Sequence, residues 1–224
     1  MKLITAALEL LNPEILRRSG RVFYTGPHAF AKPSRVYLLG LNPGGDPVAQ
    51  SHETIASDLS AFRSRSAPWS AYVDDSWNGA PPGTWGMQPG VRHLLDGLGA
   101  DPRQVPSSNV VFVRSKDEAA LREEKVALLQ ACWPIHEAVI NSLGIKTVVC
   151  FGKTAGRWVR ERLDAHEFVD SFRETNLRGW QNEAYRSADD QTVMTLTHPS
   201  RANWRNPEAD PTSFVARTLE RGFP

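Results

Sequence analysis

Two short polar segments stand where apolar runs of the chain end. Asn42-Pro43-Gly44-Gly45 follows the run at 35–40 (RVYLLG), and His198-Pro199-Ser200 follows the run at 191–197 (QTVMTLT). A third polar residue, Asn109, opens the run at 109–114 (NVVFVR). A side-chain amide both accepts and donates, so Asn42 can hold a water, but it cannot take a proton as a carboxylate can. The imidazole of His198 can set an N–H against an oxygen on which negative charge develops. Asn109 offers a donor and an acceptor side by side. Gly44 and Gly45 let the backbone approach a ligand closely, and Lys153, at the head of a helical stretch, could meet a phosphate. Each residue also has a plain structural use. Asparagine and glycine make turns, asparagine can begin a strand, histidine can tie down a loop, and lysine is at home in solvent. The choice depends on whether the fold brings these residues together.

Four runs have strand character: 35–40, 109–114, 146–152 (KTVVCFG) and 191–198. They are rich in Val, Leu, Phe or Thr and bounded by turn residues, and the first three are nearly continuous in apolar residues, as in strands covered on both faces. A YTG segment near residue 24 adds a candidate edge. Helical stretches separate the runs. In the longest, at 115–144, Ser115 and Glu118 fit a capping box and Gly144 a C-terminal stop, and Pro134 should kink or split the helix. Others are expected at 89–99, at 154–163, at 210–222 behind Asp210 and Pro211, and at the N-terminus, where Asn12 and Pro13 read as a cap and first-turn proline. Alternating strands and helices predict a single α/β domain over residues 1–224. Its expected form is a three-layer α/β/α sandwich around a central, mostly parallel four-stranded sheet. Ligands of open parallel sheets bind at the carboxyl ends of the strands, where Asn42 and His198 fall. Asn109 joins them only if its strand begins near the crevice. Residues 61–90 form an irregular stretch with three tryptophans, too long for a plain connection, which points to a functional or mobile loop.

Composition excludes several classes. The net charge is +1, so contact with nucleic acid requires a local basic patch. No apolar run approaches the about 18 residues of a membrane span. The N-terminal segment is interrupted by Glu9 and reads as a structural helix, not a signal peptide, so a cytoplasmic monomer with no membrane partner is expected. Two cysteines, Cys132 and Cys150, in apolar surroundings read as buried thiols, and neither a disulfide framework nor a metal site is expected.

GLNPGG after the first strand, paired with THPSRANW after the last, resembles the uracil-DNA glycosylase superfamily. NVVFVRS and ACWPIHEAVINSLGIKTVVCFGKTAGRWV are similar to intermediate segments of that family, so the resemblance spans roughly residues 35–205. Each motif alone is common; their order, separation and strand contexts carry the likeness. Asn in the first motif with His in the second is most similar to single-strand-selective monofunctional uracil glycosylases, rather than to members with a carboxylate in the first motif. Cys132 matches one of the four cysteines that hold an iron–sulfur cluster in some members. The other three are absent, so no cluster and no other cofactor is expected.

The resemblance implies a monofunctional DNA glycosylase that flips uracil or another altered pyrimidine out of single- or double-stranded DNA and leaves an abasic site. Asn42 would hold the water and His198 would stabilise the departing base. Asn109 would read the base edge, its donor–acceptor pair matching N3–H and O4 of uracil. Gly44 would leave room for the nucleotide. The ring that stacks on the base in the family aligns here near Met87 or Gln88, a departure. Trp85 is the nearest aromatic, with Trp69 or Trp77 as substitutes from the same loop. Gly45, Lys153, Ser200, Arg201, Trp204 and Arg205 would contact DNA, with Arg201, Trp204 or Arg205 filling the gap left by the flipped base. Neither motif holds a lysine, so no strand nicking is expected. A non-catalytic binder of modified or single-stranded DNA with the same fold is the alternative, and a hydrolase of free nucleosides is a third.

Overall fold

The computed structural model describes residues 2–221; Met1 and residues 222–224, which the single-domain reading and the end of the last predicted helix include, lie outside it. Among the described residues, seven α-helices flank one sheet: α1 (Lys2–Glu9), α2 (Pro13–Leu16), α3 (Ile55–Ser64), α4 (Gln88–Gly97), α5 (Lys125–Leu143), α6 (Lys153–Arg162) and α7 (Thr212–Arg221). The strands are β1 (Val36–Gly40), β2 (Ser107–Asn109), β3 (Thr147–Phe151), β4 (Glu167–Arg173), β5 (Gln181–Arg186) and β6 (Thr192–Leu196). Their order in the sheet is β2-β1-β3-β6-β5-β4. The first four are parallel, and β5 and β4 run antiparallel at one edge. The sheet is therefore mixed and six-stranded, not the four-stranded sheet expected from the sequence.

The reason β4 and β5 escape a search for apolar runs is their surroundings. EFVDSFR is nowhere fully buried, and in QNEAYR only Asn182 and Ala184 are buried. A hairpin at a wet sheet edge needs no continuous apolar sequence, and its charged residues keep the edge from pairing with other chains.

Side chains alternate across the central strands. Tyr37, Leu39, Val148, Cys150 and Val193 enter one core with α1, α3, α5 and α6. Leu38, Val149, Phe151, Met194 and Leu196 enter the other with α4 and α7. Helices thus cover both faces, as the sandwich requires. Cys132 and Cys150 lie in the first core as free thiols, and burial pushes both thiol pKa values up, that of Cys132 to about 12. No helix among the described residues is long and apolar enough to cross a membrane.

Several local expectations change. β2 is Ser107–Asn109, so Asn109 ends its strand instead of opening it, and 110–113 continue as buried irregular backbone. The capping box of Ser115 and Glu118 does not form. A short 3-10 turn (Ala119–Leu121) precedes α5, and Glu118 instead pairs with Lys125 at 3.0 Å. Pro134 does not split α5. It sits on the exposed face, where the Gln130 carbonyl that it deprives of a partner belongs to an exposed residue and can bond water. Gly144 ends the helix in the left-handed region (φ 64°), and Asn12 caps α2 by accepting from the Glu14 N–H. The YTG segment forms no strand; it contributes an isolated bridge, Thr25 with Ser70.

Candidate active site at the carboxyl edge of the sheet

Parallel pairing sets the candidate residues on one edge. Gly40 at the end of β1 is opposite Asn109 at the end of β2, and Phe151 of β3 is opposite Leu196 of β6. Asn42 and His198 each follow two residues beyond their strands. Asn109 and the β6 end are three strand spacings apart, about 14 Å along the edge.

Asn42 is held in one orientation. Its Nδ2 donates to the Pro43 carbonyl at 2.9 Å and to Ser115 Oγ at 2.8 Å, with the Val113 carbonyl at 3.5 Å. Two of these neighbours are carbonyls, which only accept, so the atom that faces them must be the nitrogen. Ser115 Oγ spends its own proton on the Asp117 carbonyl at 2.7 Å, which leaves a lone pair for the amide. The Asn42 Oδ1 is left over, an acceptor with no hydrogen-bond partner among the described residues. Ser115 was legible in the sequence only as a helix cap; its link to Asn42 joins residues far apart in the chain.

His198 is fixed by the same logic. Its Nδ1 accepts from the Ser200 N–H at 3.2 Å and lies 2.8 Å from Ser200 Oγ. A backbone N–H can only donate, so Nδ1 carries no proton and Nε2 does. Burial, reinforced by the nearby charge of Arg201, lowers the His198 pKa to about 4, so the ring is neutral at pH 7. Ser200, expected as a DNA contact, is exposed and also orients the ring.

Asn109 is buried, and its Nδ2 has no hydrogen-bond partner. The Tyr24 hydroxyl is near enough that, although burial raises the phenol pKa, the amide partly offsets it, but the pair falls outside hydrogen-bonding geometry. The Asn109 side chain folds over Gly40, where a Cβ would stand 2.0 Å from Oδ1. Gly40 and Tyr24 are thus part of the site, and neither had a local sequence signal beyond the glycine at a strand end.

The loop at 65–87 is tethered. Gln88 is fully buried and donates to the Ala71 and Asp75 carbonyls at 2.7 and 2.8 Å, while its Oε1 accepts from the Trp85 N–H. Gln88 is therefore a strut and cannot stack on a ligand. Arg21 and Arg103 hold Asp75 and Asp74. Trp77 lies edge-on to Tyr24 and Tyr72, so this tryptophan is tied to the neighbour of Asn109. Trp85 is exposed, Met87 is half-buried against the second core, and Trp69 lies under Arg65 at 3.5 Å. The head of α4 abuts the second motif, a Cβ on Gly90 meeting Pro199 at 3.2 Å.

Of the expected DNA contacts, Arg201, Arg205 and Lys153 are exposed, Lys153 as the first residue of α6. Gly44 is exposed and its carbonyl accepts from Arg114 at 2.7 Å; Gly45 is exposed with φ 123°, where only glycine sits without strain. Trp204 is a correction. It is fully buried, donates to the Thr197 carbonyl at 3.2 Å and packs edge-on against Phe151, so it anchors the loop and cannot enter DNA. A cavity of about 300 Å³ beside the first motif, lined by Asp46, Arg114 and Lys116 among others, contains neither Asn109 nor His198. Its cations are already paired, Lys116 with Asp46 and Arg114 with Glu53. No group of three or more potential metal-ligating side chains occurs among the described residues.

The family model of the uracil DNA glycosylase superfamily matches residues 27–220, a span that contains both motifs, Asn109 and the whole sheet. The chain belongs to the uracil DNA glycosylase superfamily. Members of this superfamily are DNA glycosylases and act on DNA. No curated protein matched the chain in its own right.

Proposed function

We propose that this protein is a monofunctional DNA glycosylase that hydrolyses the N-glycosidic bond of uracil or another altered pyrimidine flipped out of DNA. The observation that carries the reading is the set of spare hydrogen-bonding atoms at one sheet edge. They are Oδ1 of Asn42 and Nε2–H of His198, left over by the bonds that orient those side chains, and the buried, unpaired Nδ2 of Asn109. Oδ1 of Asn42 accepts a hydrogen bond from water and turns the water's lone pair toward the sugar carbon. As the carbon–nitrogen bond breaks, its electron pair leaves with the base, and Nε2–H of the neutral His198 donates to the base oxygen that gains charge. The water oxygen bonds to the sugar carbon, and the proton it sheds is taken up by the departing base. Asn42 cannot act as a base, so the water is oriented but not deprotonated before attack, and a slow enzyme is expected.

Asn109 reads the base. Its Nδ2 donates to a ring carbonyl, and Oδ1 accepts from the adjacent ring N–H. Cytosine presents a different pattern and would require the amide to flip. Trp77, Trp85 and Met87 supply the wall against which the base packs, and Gly44 leaves room for the nucleotide. Gly45, Lys153, Ser200, Arg201 and Arg205 meet the flanking phosphates and bases. The test is incubation with oligonucleotides, single- and double-stranded, carrying uracil, a thymine mismatch, hypoxanthine or bulky modified cytosines, followed by alkali. Cleavage that is lost in Asn42→Ala and in His198→Ala supports the assignment. No cleavage of any substrate by the wild type, or near-wild-type rates in both variants, overturns it.

A further inference from the structure

The β4–β5 hairpin offers a second feature at the same edge that the site described above does not use. β5 runs antiparallel to β6, with Glu183 opposite Thr195, so the start of β5 lies beside the end of β6. The connection at 174–180 therefore projects past the carboxyl edge next to His198. It is locked there. The Asn182 Oδ1 accepts from the Thr197 N–H at 2.6 Å, and the Thr175 N–H donates to the Glu208 carbonyl at 2.9 Å. Glu174 is a buried carboxylate that accepts from Asn176 at 2.9 Å and Arg178 at 3.1 Å. Arg178, held this way, donates to the Arg201 carbonyl in the loop after His198 and lies over Trp180 at 4.5 Å.

A buried charge network fixing a surface turn leaves one residue unexplained. Leu177 stands fully exposed at the tip, with Trp180 also exposed beside it. Neither serves the core. On the hairpin and on the loop that it touches, Arg173, Arg178, Arg201 and Arg205 are exposed cations, against the acids Glu174 and Glu208. An apolar tip ringed by net positive charge is the surface that duplex DNA accepts when a side chain is pushed between base steps. Trp204, one sequence candidate for that role, is buried, and Arg201 and Arg205 are polar.

We propose that the tip of the β4–β5 hairpin is a DNA-contacting element in which Leu177 inserts into the duplex beside the flipped nucleotide while Trp180 and Arg178 brace it. The proposal rests on the glycosylase reading. It predicts a duplex-specific effect, because a single strand has no stack to open.

The experiment is fluorescence anisotropy with full-length protein and two probes, a duplex carrying one tetrahydrofuran abasic analogue and the same strand alone. Leu177→Ala removes a solvent-exposed side chain and leaves the fold intact. It should weaken binding to the duplex about five- to tenfold and leave single-strand binding within twofold, with Leu177→Met restoring most of the loss. Trp180→Ala should weaken duplex binding in the same direction. Equal affinity of wild type and Leu177→Ala for the duplex overturns the hairpin proposal alone and leaves the glycosylase reading standing. A loss of self-association in Leu177→Ala, with DNA affinity unchanged, overturns it in favour of a contact between copies. A wild-type protein with no affinity for either probe overturns the hairpin proposal, and the cleavage screen then decides the glycosylase reading separately.

Discussion

Ser115→Ala tests the orientation of Asn42 most directly. The amide has two protons and three acceptors. Ser115 Oγ at 2.8 Å and the Pro43 carbonyl at 2.9 Å make full bonds, and the Val113 carbonyl at 3.5 Å is at the limit. Removing the hydroxyl leaves one good bond and one long contact, enough to keep the nitrogen on the same side but not to fix the tilt of the amide. A neutral hydrogen bond contributes about 0.5–1.5 kcal/mol net. If that difference falls on the barrier to water attack, kcat drops by about two- to tenfold. KM should hardly change, because Ser115 is 4% exposed and has no access to substrate. The assay is single-turnover cleavage of whichever oligonucleotide proves a substrate, with a parallel thermal melt to separate misfolding from misorientation. The decisive comparison is the double variant. In an Asn42→Ala background, Ser115→Ala should have no further effect on the residual rate, since nothing remains for it to position. A full additional loss there, or a wild-type kcat in the single variant, refutes the argument.

Two further outcomes follow from the buried histidines and from Gly40. His136 accepts from the Tyr37 hydroxyl at 2.9 Å and donates to the Val110 carbonyl at 3.2 Å, and burial lowers its pKa to about 4 against 6.5. The unfolded chain therefore binds a proton that the native state refuses between these values. Stability is full above pH 6.5 and falls by up to about 3 kcal/mol as the pH drops to 4. Urea melts across that window check the slope, and long-range nitrogen–proton NMR at pH 7 should show both His136 and His198 neutral with the proton on Nε2. Gly40→Ala sets a Cβ 2.0 Å from Asn109 Oδ1 and must displace the amide. The ratio of kcat/KM between the preferred base and its competitors should fall about ten- to a hundredfold, as in Asn109→Ala, and unchanged discrimination would count against Asn109 as the reader.

The parts of this molecule that were legible in its sequence are those specified by neighbours in the chain. β1, β3 and β6 announce themselves because burial on both faces favours Val, Leu, Phe and Thr at nearly every position, and the two motifs follow where β1 and β6 stop. β2 was misplaced because its real strand is Ser107–Asn109, whose buried serines bond the Val22 and Val105 carbonyls. Buried hydroxyls satisfied by backbone carbonyls leave no apolar signature, and the visible Val-Val-Phe-Val run is only the buried continuation. The candidate site divides along the same line. Asn42, His198 and Asn109 carry chemistry in their own side chains. Ser115, Tyr24 and Gly40 matter through contacts across the fold, and the burial of Trp204 depends on Phe151 and Thr197, which no local pattern reveals.

The cradle of Asn42 also constrains descent. A single Asn42→Asp change is not expected to install a working general base at this position. A carboxylate oxygen in place of Nδ2 would confront the lone pairs of the Pro43 and Val113 carbonyls, with Ser115 already committed to Asp117. Asn42→Asp is therefore expected to strain the turn rather than supply a base, so a gain at this position requires the surrounding main chain to change with it.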